Sequence, residues 1–136
     1  MILICPTFHH NKAGTGCGKS TQLPQYIIDD FYAHSPECQG HDRDFVRICC
    51  TQPRRLAAQG VASRVADEYI TSLGDMVGFR VGKRGNIWDS QKVGKNTRIE
   101  FVTEGLLLHQ LTKSADKIKN YDCIIIDEAH ERNKVE

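Results

Sequence analysis

The sequence predicts an α/β domain with a mostly parallel sheet flanked by helices. Two observations carry that expectation. Short apolar runs, "ILIC", "FVRICCT", "MVGFRVG", "TRIEFVT" and "YDCIIID", recur along the chain, and most are followed by stretches whose apolar residues return every three or four positions. Strands alternating with helices make parallel β-α-β units. The 136 residues are enough for one domain with its own core.

Taken in order, "ILIC" (2–5) reads as a short buried strand. From Gly18 through Phe31 the pattern is helical, with Leu23, Tyr26, Ile27 and Phe31 recurring at three- and four-residue spacing and Pro24 in the first turns, where proline is tolerated better than in a helix interior. "HSPECQGHDRD" is a polar loop and "FVRICCT" (45–51) a buried strand. The next helix starts near Pro53 and stops at Gly74, with Leu56, Val61, Val65, Ile70 and Leu73 giving one apolar side. "MVGFRVG" (76–82) alternates as a strand does, "KRGNIWDSQKVGKN" reads as a loop, and "TRIEFVT" (97–103) is the following strand. "EGLLLHQLTK" is a short helix, and "YDCIIIDEAH" ends the last strand at Asp127.

Composition narrows the function classes. Lys and Arg number 18 against 17 Asp and Glu, a net charge of +1, so any nucleic-acid contact has to rest on local residues. No apolar run approaches the roughly 18 residues of a membrane span, and "MILICPTF" lacks the basic start of a signal peptide. The expectation is no membrane partner. Six cysteines occur without a C-x-x-C pair, and Cys49, Cys50 and Cys123 sit in apolar runs. That usage fits a reducing, intracellular setting, nuclear or cytoplasmic, without disulfides.

Two segments carry chemistry. Ala13-Gly14-Thr15-Gly16-Cys17-Gly18-Lys19-Ser20 fits A-x-x-x-x-G-K-S, with Ala where the strict phosphate-loop pattern has Gly. Small residues let successive backbone N–H groups turn inward around a polyphosphate. Lys19 would reach the β- and γ-phosphates, the Ser20 hydroxyl would bind Mg²⁺, and the following helix would point its positive end at the anion. The seven residues before this loop, "PTFHHNK" (6–12), are more than a strand–loop–helix unit needs. In "CIIIDEAHER", Asp127 and Glu128 leave the carboxyl end of a very apolar strand, the place where open α/β sheets bind ligands. Asp127 would hold Mg²⁺, and Glu128 would orient and deprotonate an attacking water.

These residues carry a resemblance to the DEAH-box RNA helicases of superfamily 2. "GTGCGKSTQLPQYI" resembles motif I, "TQPRRLAA" motif Ia, "TEGLLLHQL" motif Ib and "IIIDEAHER" motif II; "VGFRVGKRGN" resembles the segment the family carries between Ia and Ib. The resemblance implies a RecA-like P-loop NTPase domain that uses ATP or another NTP with Mg²⁺ and grips single-stranded RNA. It implies that Gly14, Thr15, Gly16, Cys17, Gly18, Lys19, Ser20 and Thr21 contact the nucleotide, and that Ser20, Asp127 and Glu128 handle the metal. It implies catalytic work for Lys19, Asp127, Glu128 and His130, with His130 linking the nucleotide site to a domain cleft. Arg64 in "ASRVADE" falls where the family stacks an arginine on the base, or is a solvated helix residue. Arg54, Arg55 and Thr103 match positions lining the RNA backbone; Arg55 could instead pair locally, and Thr103 could cap the helix after it. Helicase activator proteins are further implied partners.

The family's motif III and second RecA-like domain do not follow "NKVE" in this sequence. The expectation is therefore a partial first RecA-like domain, with an insertion at 6–12 and a truncation after residue 132. Such a piece would not unwind RNA by itself and would hydrolyse ATP near background. The motif III strand would ordinarily lie between "ILIC" and "DCIIID", so those two strands are expected either to flank an empty slot or to pair directly, and the isolated chain to be marginally stable or insoluble. A non-catalytic nucleotide- or RNA-binding short isoform, or a gene-model fragment, is the alternative; "TQPRR" and "TEG" argue against a small P-loop kinase. His34-x-x-x-Cys38-x-x-His41, with His9 or His10 as a conceivable fourth ligand, has zinc-like residue types but no defined fourth position, and reads as a solvated loop.

Overall fold

The computed structural model describes residues 2–4, 18–34, 46–83 and 86–127. The elements run β1 (Ile2–Ile4), α1 (Lys19–His34), β2 (Ile48–Gln52), α2 (Arg55–Glu68), β3 (Val77–Lys83), β4 (Asn86–Lys92), β5 (Ile99–Thr103), α3 (Glu104–Lys113), a 3₁₀ helix (Ala115–Asn120) and β6 (Cys123–Ile126). One sheet holds the strands in the order β1-β6-β2-β5-β3-β4. The four inner strands are parallel, and β1 and β4 are antiparallel edges. This is the expected α/β architecture, a mixed, mostly parallel sheet flanked by helices.

Both faces of the sheet are covered, which is why the inner strands read as nearly unbroken apolar runs. On one side Ile48, Cys50, Phe79, Ile99, Phe101, Cys123 and Ile125 meet α1 and α2. Helix α2 presents Ala58, Ala62, Val65 and Ala66, small residues that let it lie close against the strands. On the other side Cys49, Val102 and Ile124 pack against Leu107, Leu111, Ile118 and Tyr121 of α3 and the 3₁₀ segment. That second face also buries a charge. Glu100, 2% exposed, meets Arg80 Nε at 2.8 Å and accepts a hydrogen bond from Tyr121 Oη at 3.2 Å. Cys49, Cys50 and Cys123 are buried thiols outside any disulfide. Burial, reinforced by nearby negative groups, pushes the Cys49, Cys50 and Tyr121 pKa values well up, so all three stay protonated.

Four readings of the sequence need correction. β1 does not enter a parallel unit. It pairs directly with β6, antiparallel, with Ile2 opposite Ile126 and Ile4 opposite Ile124. Of the two expected outcomes this is direct pairing, and it gives the β6 edge backbone partners that an empty slot would withhold. Residues 86–92, read as loop, form β4 on β3. "NIWDSQK" has no apolar alternation, so its strand state comes from backbone pairing rather than from pattern. Gly78 makes room for this hairpin: a Cβ there would run into the Lys92 carbonyl oxygen and come within 2.9 Å of Val93 Cγ1. Third, α2 stops at Glu68, not Gly74. Ile70 N–H donates to Asp67 O and Thr71 N–H to Ala66 O, the paired bonds of a Schellman stop. Ile70 takes the left-handed conformation this requires, φ 52°, unusual for a β-branched residue. Finally, Leu56 and Ile70 do not join the apolar side of α2; they are 82% and 94% exposed. Among the described residues no helix is long and apolar enough to cross a membrane.

Candidate functional site

Three adjacent parallel strands end together. Gln52 closes β2, Thr103 closes β5 opposite it, and Asp127 follows Ile126, whose register partner is Thr51. Along each strand the residues two and four positions earlier face α1 and α2, so strand alternation puts Gln52, Thr103 and Asp127 on that same side. All three are buried, at 5%, 8% and 7% exposure. They form a polar row along the carboxyl edge of an otherwise apolar sheet.

Helix α1 starts over this row. Gly18 holds φ +72°, and a Cβ there would crowd Gln22 Cγ at 3.3 Å. Its carbonyl accepts from Thr21 N, Gln22 N and Thr21 Oγ1 at 3.2, 2.7 and 3.1 Å, fixing the first turn. Lys19 and Ser20 follow at once, both half-buried. Pro24 is buried inside the helix, and its missing N–H leaves the Ser20 carbonyl without the usual helical donor.

Two segments 107 residues apart in sequence converge here. Ser20 Oγ donates to Asp127 Oδ2. Gln52 Nε2 donates to the same oxygen at 2.9 Å. A hydroxyl that gives its proton to a carboxylate keeps its lone pairs for a cation. Mg²⁺ commonly takes one or two carboxylates and completes its octahedron with phosphate and water oxygens. The donor set therefore fits Mg²⁺ carried on a polyphosphate. Among the described residues no group of three or more His, Cys, Asp or Glu could hold a metal ion. A cation at this point would rest on Ser20, Asp127 and the oxygens of its own ligand.

The other expected residues distribute as follows. Arg64 lies on α2 with 72% of its side chain exposed, Nε 3.4 Å from Glu68 Oε1. Glu68 Oε2 accepts from Gln22 Nε2 at 3.0 Å and Gln25 Nε2 at 2.6 Å, so this carboxylate ties α2 to the first turns of α1 and keeps Arg64 beside them. Arg54 is exposed at the N-cap of α2, and Arg55 is the half-buried first residue of that helix. Thr103 is the N-cap of α3 but makes no side-chain capping hydrogen bond. Arg54, Arg55 and Thr103 thus sit where β2 and β5 pass into α2 and α3, next to the Gln52–Asp127 row. Gly14, Thr15, Gly16, Cys17, Glu128 and His130 lie outside the described residues, as do His9, His10, Cys38 and His41. Gln52 was missed by sequence reasoning. Its one signal is position, the last strand residue before "PRR", and its partner is 75 residues away.

Comparison with known proteins agrees with this arrangement. The sequence profile of the DEAD/DEAH box helicase family matches residues 10–135. The chain is 43% identical to "Probable ATP-dependent RNA helicase spindle-E" of Anopheles gambiae over 118 residues, 87% of this chain and 7% of that protein. It is 40% identical to "Probable ATP-dependent RNA helicase DHR2" of Saccharomyces cerevisiae and 41% identical to "ATP-dependent RNA helicase DHX33" of Homo sapiens, each over 87% of this chain and 14% of the relative. The chain thus spans a small part of the length of the curated relatives it matches. The phosphate-loop ending, the acidic strand end that meets it and a match covering most of the sequence lead to one conclusion: the chain belongs to the DEAD/DEAH box helicase family.

Proposed function

We propose that this chain is the nucleotide-handling part of an ATP-dependent RNA helicase, the front of a first RecA-like domain that binds ATP or another NTP with Mg²⁺. The observation that carries the reading is the meeting of Ser20 and Asp127 on the carboxyl edge of the sheet. Lys19 would neutralise the β- and γ-phosphates at the start of α1, where the helix end favours anions. Ser20 and Asp127 would hold Mg²⁺, which when bound neutralises charge on the phosphate oxygens. Glu128, the next residue after Asp127, would orient and deprotonate water, and His130 would pass the state of the site onward. Arg64, beside the first turns of α1, would stack on the base, a contact that selects little between bases.

RNA would lie along the ends of β2 and β5, with Arg54, Arg55 and Thr103 on its phosphates, giving grip without sequence preference. Unwinding, activator proteins and a nuclear or cytoplasmic setting belong to the same proposal for the longer protein. For this chain alone the expectation is weak, Mg²⁺-dependent nucleotide binding with hydrolysis near background.

Calorimetric titration of the chain with ATP and GTP, beside Lys19→Ala, tests the binding. Equal binding by wild type and variant would overturn it. RNA-stimulated turnover abolished by Glu128→Gln would overturn the expectation of near-background hydrolysis.

A further inference from the structure

We infer that Gln52 is a positioning residue: it holds Asp127 Oδ2 in one orientation, so that the Asp127 carboxylate and the Ser20 hydroxyl present themselves to a divalent cation together. The inference rests on the reading of this edge as a Mg²⁺-nucleotide seat and adds a residue to it.

A carboxylate held by one donor can rotate about its Cβ–Cγ bond, and the angle at which it meets an ion varies with it. The donors on Asp127 Oδ2 include Ser20 Oγ and Gln52 Nε2. The two differ in kind. Ser20 belongs to the phosphate-loop helix, so its position depends on what that loop holds. Gln52 is fixed by the sheet. It sits in register beside β5, and β2 pairs with β6 up to Thr51 opposite Ile126, one residue short of the Gln52–Asp127 contact. Pro53 follows it and confines Gln52 to extended backbone. The side chain is 5% exposed and cannot exchange this contact freely for water.

The residue type also fits. An amide donates without a charge, so it steadies the carboxylate without competing with a cation for it. Lys or Arg here would occupy the cation's electrostatic role, and Glu would accept where a donor is needed. The amide is thus an outer partner of the ion, of the kind whose removal commonly weakens metal affinity by about 10–100-fold.

The test separates metal-dependent from metal-independent nucleotide binding. Wild type, Gln52→Met and Lys19→Ala are titrated with a fluorescent ATP analogue in EDTA and in Mn²⁺, with bound Mn²⁺ followed by electron paramagnetic resonance. Methionine keeps the side-chain volume and removes the donor. The expected result is a fall of about 10-fold in Mn²⁺ affinity for Gln52→Met, with EDTA binding within about twofold of wild type. A glutamine that only supports the fold would move both arms equally, and that result overturns the inference. So does unchanged Mn²⁺ affinity, which would leave the nucleotide reading standing. Wild-type binding that Mn²⁺ does not strengthen overturns both. A measurement on the wild-type chain covers failure of the variant to fold. The Gln52 side-chain NH₂ should exchange slowly with solvent in NMR spectra, with and without Mg²⁺-nucleotide. Fast exchange in either state overturns the inference.

Discussion

Two buried carboxylates divide the polar work of this sheet. Asp127 stands at the carboxyl edge on the α1–α2 side and takes hydrogen bonds from a hydroxyl and an amide, both neutral donors. Glu100 stands within β5 on the α3 side and faces a guanidinium and a phenol. Arg80 supplies Glu100 with its counter-charge inside the fold, so that carboxylate is spent on architecture. Neutral donors hold a carboxylate in place without cancelling its charge, which leaves it able to meet a cation brought on a ligand. Both carboxylates are buried. The two differ in position along the strand, and under the proposed function only Asp127, at the carboxyl edge, meets a cation.

The largest difference should appear in stability. Glu100→Gln leaves a guanidinium on the sheet without its carboxylate. Because Arg80 keeps a quarter of its side chain exposed, the cost should be about 2–3 kcal/mol in urea unfolding, somewhat less than for a fully buried pair. Nucleotide binding should not change. A loss below about 1 kcal/mol would mean that the Arg80–Glu100 pair is not the internal clamp described. Tyr121→Phe removes one donor to the same carboxylate and should cost about 1.5 kcal/mol, again without an effect on binding.

The site was more legible in the sequence than the sheet around it. The placement of Lys19, Ser20 and Asp127 could be read because it depends on local pattern: a glycine-rich turn before a helix, and an acidic residue ending an apolar strand. The contact of Gln52 with Asp127 could not, because it exists only once β2 and β6 lie side by side. The helix α2 could be placed but not ended, since its stop is made by backbone bonds from Ile70 and Thr71 rather than by a glycine. Strand β4 was invisible for a related reason: an edge strand with polar residues has no period for a sequence to show. The direction of β1 was not readable either, because three apolar residues pair in either sense and the choice rests on β6.

Alkaline pH sharpens the contrast further. Burial first, then the charge of Glu100, raises the Cys49 thiol pKa in the folded state. An unfolded thiol ionises from about pH 8.5, while the folded one holds its proton, so this contribution is intact below that pH and lost above it. Each such group should remove about 1.4 kcal/mol of stability per pH unit, and Cys49→Ala should flatten the decline between about pH 9 and 10.5 by that share. An unchanged slope would show that the thiol is not held in the charged, dry face of the sheet.

The smallest stability effect should come from Asp127→Asn. Its amide oxygen still accepts from Ser20 and Gln52, so unfolding should shift by no more than about 1 kcal/mol. A larger loss would make Asp127 a structural carboxylate like Glu100.

The same variant decides whether the carboxyl edge is a cation-nucleotide seat. Wild type and Asp127→Asn are titrated calorimetrically with ATP, once with excess Mg²⁺ and once with EDTA. For wild type the Mg²⁺ titration should be the tighter of the two, by about 10-fold or more. For Asp127→Asn the two curves should coincide at the EDTA value. A variant that binds Mg²⁺-ATP as tightly as wild type would contradict the assignment of Ser20, Gln52 and Asp127 to that seat.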